Sequence, residues 1–245
     1  MPTTHNNLFT AQNEFDIRCE WGMDGLECLM GNVDAVIIVD VLSFSTCVDI
    51  VVAGNALVFP YDGELENLEE FAMAHNAQIA CRKRTLDSLS LSPASLTTIP
   101  ADTRLVLPSL NGSRLSKRSQ APATFTACLR NARAVAHAVQ SFASKICVIP
   151  AGEKWPNGNL RPAFEDMIGA GAVISNLEGK RSPEASVCQQ AFLTYKSDLL
   201  QILSSCSSGK ELLQQSFFED VRLASACDSS ATVPILKNNA YQSFL

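Results

Sequence analysis

Residues 34–42 read DAVIIVDVL, an apolar and largely β-branched run that is typical of a strand buried on both faces. Such a strand needs helices on each side of its sheet. Similar apolar runs alternate with helical patterns from 34 to 174, ending in ICVIP, a polar loop and a helix at 146–174. The alternation predicts an α/β fold with a largely parallel or mixed sheet flanked by helices in three layers.

The last third of the chain has a different pattern. Residues 183–227 show helical spacing throughout, and the residues after them read as an extended tail. We expect this helical C-terminal third to pack on the sheet or lie over the site. A length of 245 residues fits one domain spanning 1–245, with two subdomains divided near 120–145 as the alternative.

Composition excludes several classes of protein. Net charge is −6, and no basic run alternates with aromatic residues, so nucleic acid is not an expected partner. No apolar stretch approaches the roughly 18 residues of a membrane span. The polar N-terminus lacks a signal-peptide pattern, so a cytoplasmic protein is expected.

Nine cysteines without a C-x-x-C pair predict reduced, mostly buried thiols. The apolar C-terminal helices are compatible with a homodimer.

Polar residues collect where predicted strands end or helices begin. If the strands are parallel, their carboxyl ends share one edge of the sheet, which is where ligands bind in open α/β sheets. The groups are Asp40 with Ser43, Ser45 and Thr46; Asn111, Gly112 and Ser113; Asn131 and Arg133; and Glu153, Arg161, Glu165 and Asp166. The sequence therefore predicts one shared pocket, with Thr46 as the cap of a helix that runs to about Ala53.

The residue types suggest an anion and metal site. Carboxylates are hard oxygen ligands suited to Mg²⁺, and the candidates for this role are Asp40, Glu153, Glu165 and Asp166. Of these, Asp40, Glu165 and Asp166 are the candidate catalytic residues, because no histidine is well placed for acid–base chemistry. Hydroxyls, amides and arginines suit an anionic substrate. The candidate substrate-binding residues are Ser43, Ser45, Thr46, Asn111, Gly112, Ser113, Asn131, Arg133 and Arg161.

Each feature also has a purely structural interpretation. Asn111-Gly112 is a common turn, and acidic residues at a helix start are favoured electrostatically. Close packing explains Gly169 and Gly171 as well as a ligand does. The Arg-Lys-Arg run at 82–84, the densest positive charge in the chain, is interpreted mainly as solvated surface, with a substrate contact as the alternative.

Known phosphatase and nucleotide motifs are missing from the sequence. No cysteine is followed six positions later by arginine, and there is no Arg-His-Gly. The segment at 40–42 is not Asp-x-Asp, and neither a P-loop nor G-x-S-x-G occurs. These absences exclude the mechanisms of cysteine phosphatases, phosphohistidine phosphatases and haloacid-dehalogenase phosphatases. They also exclude a P-loop nucleotide site and a G-x-S-x-G hydrolase.

Five segments, read together and in order, resemble the 2-phosphosulfolactate phosphatase family over residues 34–236. They are VDVLSFST, LPSLNGS, LRNARAVA, PAGEKWPNGNLRPAFEDMIGAGAVI and the late CSSGKEL, FFEDVRLASACD and VPIL. The resemblance implies a fold peculiar to the family and a Mg²⁺-dependent phosphoric monoester hydrolase. The implied reaction converts (R)-2-phospho-3-sulfolactate to 3-sulfolactate and phosphate, a step of coenzyme M biosynthesis.

The resemblance also carries over individual positions. The matching polar residues are Asp40, Asn111, Gly112, Ser113, Asn131, Glu153, Arg161, Glu165, Asp166 and Asp228. One departure stands out, because many relatives have arginine where this chain has Ser43, and serine does not replace that charge.

Three hypotheses of function remain open from the sequence. The first is a Mg²⁺-dependent phosphatase acting on a small anionic phosphate substrate, with attack by metal-bound water or by Asp40 itself. The second is a non-catalytic anion-binding or regulatory protein of the same fold. The third is a phosphotransferase or isomerase that uses an acceptor other than water.

Overall fold

A mixed sheet forms the centre of the protein. The computed structural model describes residues 9–81 and 83–244. Within them, nine strands join in the order β1-β7-β2-β6-β10-β11-β3-β5-β4. These strands are β1 Ile17–Cys19, β2 Ala35–Val39, β3 Leu57–Tyr61, β4 Gln78–Ile79, β5 Arg104–Pro108, β6 Ala123–Ala127, β7 Ile146–Pro150, β10 Pro234–Lys237 and β11 Ala240–Ser243. A separate two-stranded ribbon pairs β8 (Glu153–Lys154) with β9 (Leu160–Arg161).

Helices fill most of the connections. Their bounds are α1 Gly22–Leu29, α2 Phe44–Ala53, α3 Leu68–Ala74, α4 Gly112–Arg118, α5 Ala132–Gln140, α6 Phe164–Ser175, α7 Pro183–Tyr195, α8 Leu199–Ser205, α9 Ser207–Gln214 and α10 Phe218–Ala224. Short 3₁₀ turns occupy Leu65–Asn67, Pro93–Leu96 and Leu129–Asn131. Among the described residues, no helix is long and apolar enough to cross a membrane.

The sheet consists of two parallel halves that run in opposite directions. Strands β1, β7, β2 and β6 are mutually parallel, and so are β3, β5 and β4. The hairpin β10–β11 lies between the halves and is antiparallel to both β6 and β3. Since β1 and β2 precede β3 along the chain while β6 and β7 follow β5, the two halves do not correspond to a division near residues 120–145.

The central hairpin corrects the expectation of an extended C-terminal tail. Asn238 and Asn239 both have positive φ, 51° and 64°, which is the backbone of a tight hairpin turn whose twist matches that of its strands. Asparagine tolerates this conformation better than most residues do. The signal was therefore present in the sequence as an Asn-Asn pair between PILK and AYQS.

Helices cover both faces of the sheet. In the first half, Ile37 packs in a cluster with residues of α5 and α6, while its neighbour Ile38 packs in a cluster with residues of α1 and α4. In the second half, Val58 packs with α2 and Phe59 with α3. The opposed directions of successive side chains in a strand produce this arrangement. The expected α/β fold with flanking helices is confirmed.

The C-terminal helices extend the largest of these clusters. Buried side chains from α7 to α10 join the cluster that contains α5 and α6. The nine cysteines are all unpaired, and five of them are buried: Cys19, Cys47, Cys128, Cys147 and Cys188.

Two glycines allow α6 to pack closely. A Cβ atom on Gly169 would lie 2.5 Å from a methyl of Val41, and one on Gly171 would lie 2.0 Å from the carbonyl oxygen of Cys188 in α7. Atoms do not approach this closely. Close packing of α6 against the end of β2 and against α7 therefore accounts for both glycines.

Replacing Gly171 with alanine is expected to destabilise the protein by about 1–3 kcal/mol, because α7 must move to admit the new methyl group. The free energy of unfolding from urea titrations measures the effect. Gly31→Ala is the matched control, since a Cβ at Gly31 meets nothing within 4 Å. Equal stabilities of the two variants would contradict the packing explanation.

Candidate active site

Asp40 follows β2 directly, and its carboxylate is buried with 6% exposure. Its Oδ1 accepts a hydrogen bond from the backbone N–H of Phe44 at 3.1 Å, and its Oδ2 accepts one from the backbone N–H of Gly112 at 3.0 Å. Phe44 is the first residue of α2 and Gly112 the first of α4. One carboxylate therefore holds the beginnings of two helices together.

Gly112 is required at this contact. A Cβ there would lie 2.2 Å from the ring of Phe44, so any side chain would separate α4 from Asp40. The contact also corrects the sequence argument. Because β5 runs opposite to β2, the two loops do not share a carboxyl edge of a parallel sheet. They meet because α4 returns from β5 to β6 and begins beside Asp40.

Asp166 plays a corresponding part in the first turn of α6. Its Oδ1 accepts the backbone N–H of Val41 at 2.7 Å, and its Oδ2 accepts that of Gly152 at 2.8 Å. Gly152 has a φ of +69°, a conformation that favours glycine. The loops after β2 and β7 are thus tied to the start of α6.

Glu153 and Glu165 complete a group of four carboxylates. Glu153 Oε2 accepts a hydrogen bond from the Asn111 amide at 3.0 Å. Glu165 is only 2% exposed, and its Oε2 accepts from the Cys206 thiol at 3.4 Å. The charges of these acids act on one another's pKa values, so the four acids lie near one another, and Asn111 is joined to them through Glu153.

The electrostatics of the group favour bound protons or cations. Burial raises the pKa of Asp40 to about 7, and the charges of Glu153 and Glu165 add to this rise. Burial also raises the pKa of Asp166, helped by Asp40 and Glu165. Burial raises the pKa of Glu153, although the Asn111 hydrogen bond and the charge of Arg161 oppose it. Close, desolvated carboxylates repel one another.

The donor set suits a hard cation, but with few protein ligands. Among residues 9–81 and 83–244, no three His, Cys, Asp or Glu side chains are placed to hold one metal ion. Both oxygens of Asp40 and of Asp166 already accept backbone N–H groups, which leaves each oxygen one lone pair. Magnesium typically takes only one or two carboxylates, with water and substrate oxygens as its other ligands. The residues fit that form of site.

Arg161 lies beside the group of acids. It pairs with Glu153 in the β8–β9 ribbon, its Nη2 donates to Ser208 Oγ at 3.2 Å, and its guanidinium lies 5.8 Å from the Trp155 ring centre. Arg161, Ser208 and Glu153 line a pocket of about 450 Å³, together with Arg84 and Lys154. The helical C-terminal third contributes Ser208 from α9, so it both packs on the sheet and borders this pocket.

Three expected substrate-binding hydroxyls turn inward instead. Ser45 Oγ accepts the backbone N–H of Asp40 at 2.9 Å, Thr46 Oγ1 donates to the Val41 carbonyl at 2.7 Å, and Ser113 Oγ donates to the Leu107 carbonyl at 2.9 Å. All three residues have no exposed surface. They shape the loops around Asp40 and do not face the pocket. Thr46 also lies within α2, because the helix begins earlier than expected.

Asn131 and Arg133 make contacts elsewhere. Asn131 is fully buried; its Oδ1 accepts the N–H of Cys128 at 2.9 Å, and its Nδ2 donates to the Thr232 carbonyl at 3.2 Å. The backbone N–H of Arg133 donates to Asp228 Oδ1 at 3.0 Å, and its largely exposed side chain points to the same acid. These residues fasten the start of α5 to the segment after α10, and none of these contacts reaches the carboxylates.

Arg84 is a pocket residue that the sequence interpretation placed mainly at the surface. Its Nη2 donates to Ser43 Oγ at 3.2 Å, so Ser43 meets the pocket through this arginine. The clustered charge at 82–84 was the available signal. Arg82 lies outside the described residues, and Lys83 is exposed. Sequence alone does not distinguish a solvated arginine from one that folds back over a pocket.

Comparison with known proteins gives one consistent result. The sequence model of the family described as 2-phosphosulpholactate phosphatase matches residues 29–239. A relative from Gloeobacter violaceus, named probable 2-phosphosulfolactate phosphatase, is 26% identical over 213 residues, covering 83% of this chain and 89% of its own. Relatives of the same name occur in Thermosynechococcus vestitus, at 26% identity over 82% of this chain and 88% of their own, and in Pseudothermotoga lettingae, at 24% over 62% and 66%.

The pKa of Asp40 predicts how stability changes with pH in chelated buffer. The raised value means that the folded protein holds this proton where the unfolded chain, with an ordinary value of 3.8, has lost it. The folded state therefore binds more protons between about pH 4 and 7, and the free energy of unfolding falls as pH rises through that window. Asp40→Asn is expected to flatten the slope, measured by urea titration at several pH values.

Asp34→Asn is the control for this slope. Hydrogen bonds from the backbone of Lys145 and Ser144 lower the pKa of Asp34, so its contribution to stability is lost only as pH falls toward acid values. The control should change the acid end of the profile and leave the slope between pH 5 and 7 in place. An unchanged slope in Asp40→Asn would contradict the assigned burial and repulsion.

Proposed function

We propose, since the chain belongs to the 2-phosphosulpholactate phosphatase family, that it is a Mg²⁺-dependent phosphatase for a small acidic phosphomonoester. The proposed substrate is (R)-2-phospho-3-sulfolactate, with 3-sulfolactate and phosphate as products, which places the reaction in coenzyme M biosynthesis. One observation carries the proposal: Glu153, whose charge acts on the buried Asp40, lines a pocket whose walls include Arg84, Lys154 and Arg161.

The arginine and amide groups supply the binding part of the mechanism. Arg161 offers a planar set of N–H donors that matches two phosphate oxygens, and Ser208 fixes its orientation. Asn111 holds Glu153 in place at the same wall. The positive charge of Arg161 thereby stabilises the negative charge of the phosphate inside the pocket, a role that solvent water has outside it.

The carboxylates supply the reactive part. The two backbone hydrogen bonds of Asp40 fix the direction in which its carboxylate acts, and its pKa of about 7 without a bound cation reflects its burial and the charges of neighbouring acids. Asp166 holds the loops at Val41 and Gly152 so that Asp40 keeps this position. Mg²⁺, held by one or two of these acids, would withdraw charge from the phosphoryl group. Asp40 acts either as the nucleophile or as the base for an attacking water.

Removing Mg²⁺ is expected to abolish phosphate release. Without a cation, the negative charges of the acids oppose binding of the phosphate, and no Lewis acid withdraws charge from it. Phosphate release from 2-phospho-3-sulfolactate is followed in the purified protein before and after chelation, and again after Mg²⁺ is restored. A rate that chelation leaves unchanged would contradict the role of the metal.

Asp40→Asn is expected to lower kcat by a factor on the order of 100 or more, the typical effect of losing a positioned acid–base group. Asp62→Asn is the matched control, because Asp62 is exposed and distant in sequence from the proposed catalytic acids. Melting curves confirm folding of both variants. Full activity in Asp40→Asn would show that Asp40 has no catalytic role.

A separate outcome concerns the unaltered protein. If it binds the substrate tightly without releasing phosphate, a regulatory protein is favoured over an enzyme.

A further inference from the structure

Arg84 is held rigidly at one wall of the pocket. It lies in the loop between β4 and the 3₁₀ turn Pro93–Leu96, and its side chain is 17% exposed. Its Nη1 forms an ion pair with Asp220 Oδ2 at 2.7 Å, and its guanidinium lies 5.6 Å from the Phe217 ring centre. The hydrogen bond to Ser43 Oγ, described above, is a third contact. The guanidinium of Arg84 is therefore held by Asp220 of α10, by Phe217 just before α10 and by Ser43 at the start of α2.

The partner of Arg84 is itself fixed. Asp220 has no exposed surface, and its other oxygen accepts hydrogen bonds from Ser92 Oγ at 2.6 Å and from the backbone N–H of Ala94 at 2.9 Å. An arginine oriented in this way loses little conformational entropy when it binds an anion. The two hydrogen bonds use two of its five N–H donors, so the guanidinium retains donors for a ligand.

The two arginines of the pocket belong to different walls. Arg161 is carried by the β8–β9 ribbon beside Glu153, and its charge offsets part of the rise in the pKa of that acid. Arg84 lies over the start of α2, where its charge opposes the rise that burial causes in the pKa of Cys47. Arg161 is therefore the cation next to Glu153, and Arg84 reaches the same pocket from the start of α2.

We propose that Arg84 determines specificity by binding the non-reacting acid group of the substrate, a carboxylate or sulfonate, while the phosphate lies at Arg161 and the buried acids. This inference rests on the proposed function and adds one residue to it. A guanidinium matches the paired oxygens of either acid group. The substrate would then span the pocket between the two arginines, with its phosphate beside Glu153.

A purely structural role for Arg84 leads to a different expectation. If Arg84 served only to neutralise the buried Asp220, its loss would lower stability and would affect all substrates alike. Selectivity between substrates with and without a second acid group therefore separates the two interpretations. Phosphoglycolate and ethyl phosphate are suitable probes, because they share a two-carbon ester and differ in one carboxylate.

The experiment compares kcat/KM for the two probes in the unaltered protein, Arg84→Gln and Arg84→Lys. In Arg84→Gln the preference for phosphoglycolate is expected to fall by a factor on the order of 10 to 100, chiefly through KM, since a hydrogen-bonded charge is lost. Arg84→Lys should restore part of it. Lys83→Gln is the matched control, since it removes an exposed charge from the same loop and should leave the preference unchanged.

Equal losses on both probes in Arg84→Gln would overturn the proposal. If that variant does not fold, the double variant Arg84→Gln with Asp220→Asn removes the unpaired buried acid, and the same ratio is measured there. If the unaltered protein releases no phosphate, the proposed function fails, and calorimetric binding of the two probes still tests Arg84. A preference for phosphoglycolate that Arg84→Gln abolishes supports the inference, and no preference in the unaltered protein overturns it.

Discussion

The site depends on two buried carboxylates that each accept two backbone N–H groups. Asp40 joins the starts of α2 and α4, and Asp166 joins the loops after β2 and β7 to α6. A buried carboxylate without partners is costly, and these hydrogen bonds offset part of that cost. They leave the repulsion between neighbouring acids in place. The same arrangement therefore fixes the loop geometry and keeps the site receptive to cations.

This constraint explains why many polar residues near Asp40 are not free to bind a ligand. Ser45, Thr46 and Ser113 satisfy backbone groups in the tight loops that the carboxylates hold. Charges that face the pocket come instead from segments distant in sequence, such as Arg84 and Arg161. Short polar side chains thus hold the loops in shape, and long cationic side chains line the pocket.

Much of the fold was accessible from local sequence patterns. The buried strand at 34–42 and the strand, loop and helix at 146–174 appear in the structure as β2, β7 and α6, since hydrophobic runs of that kind have few alternatives. The direction of β5 was not accessible, because it depends on the hairpin at Pro234–Ser243 that pairs with both halves of the sheet. Likewise, the fold-back of Arg84 depends on Ser43 and Asp220, two partners that lie far along the chain.

The central hairpin also has a consequence for biosynthesis. Strands β10 and β11 leave the ribosome after every other strand of the sheet, and yet they connect β6 to β3. Without this hairpin the inner edges of β6 and β3 would be unpaired, and unpaired edges are prone to associate with other chains. The hydrogen bond from Gly112 to Asp40 joins one half to the loop beyond the other. Assembly of the site therefore requires the hairpin at Pro234–Ser243, whose pairing with β6 and β3 joins the two halves.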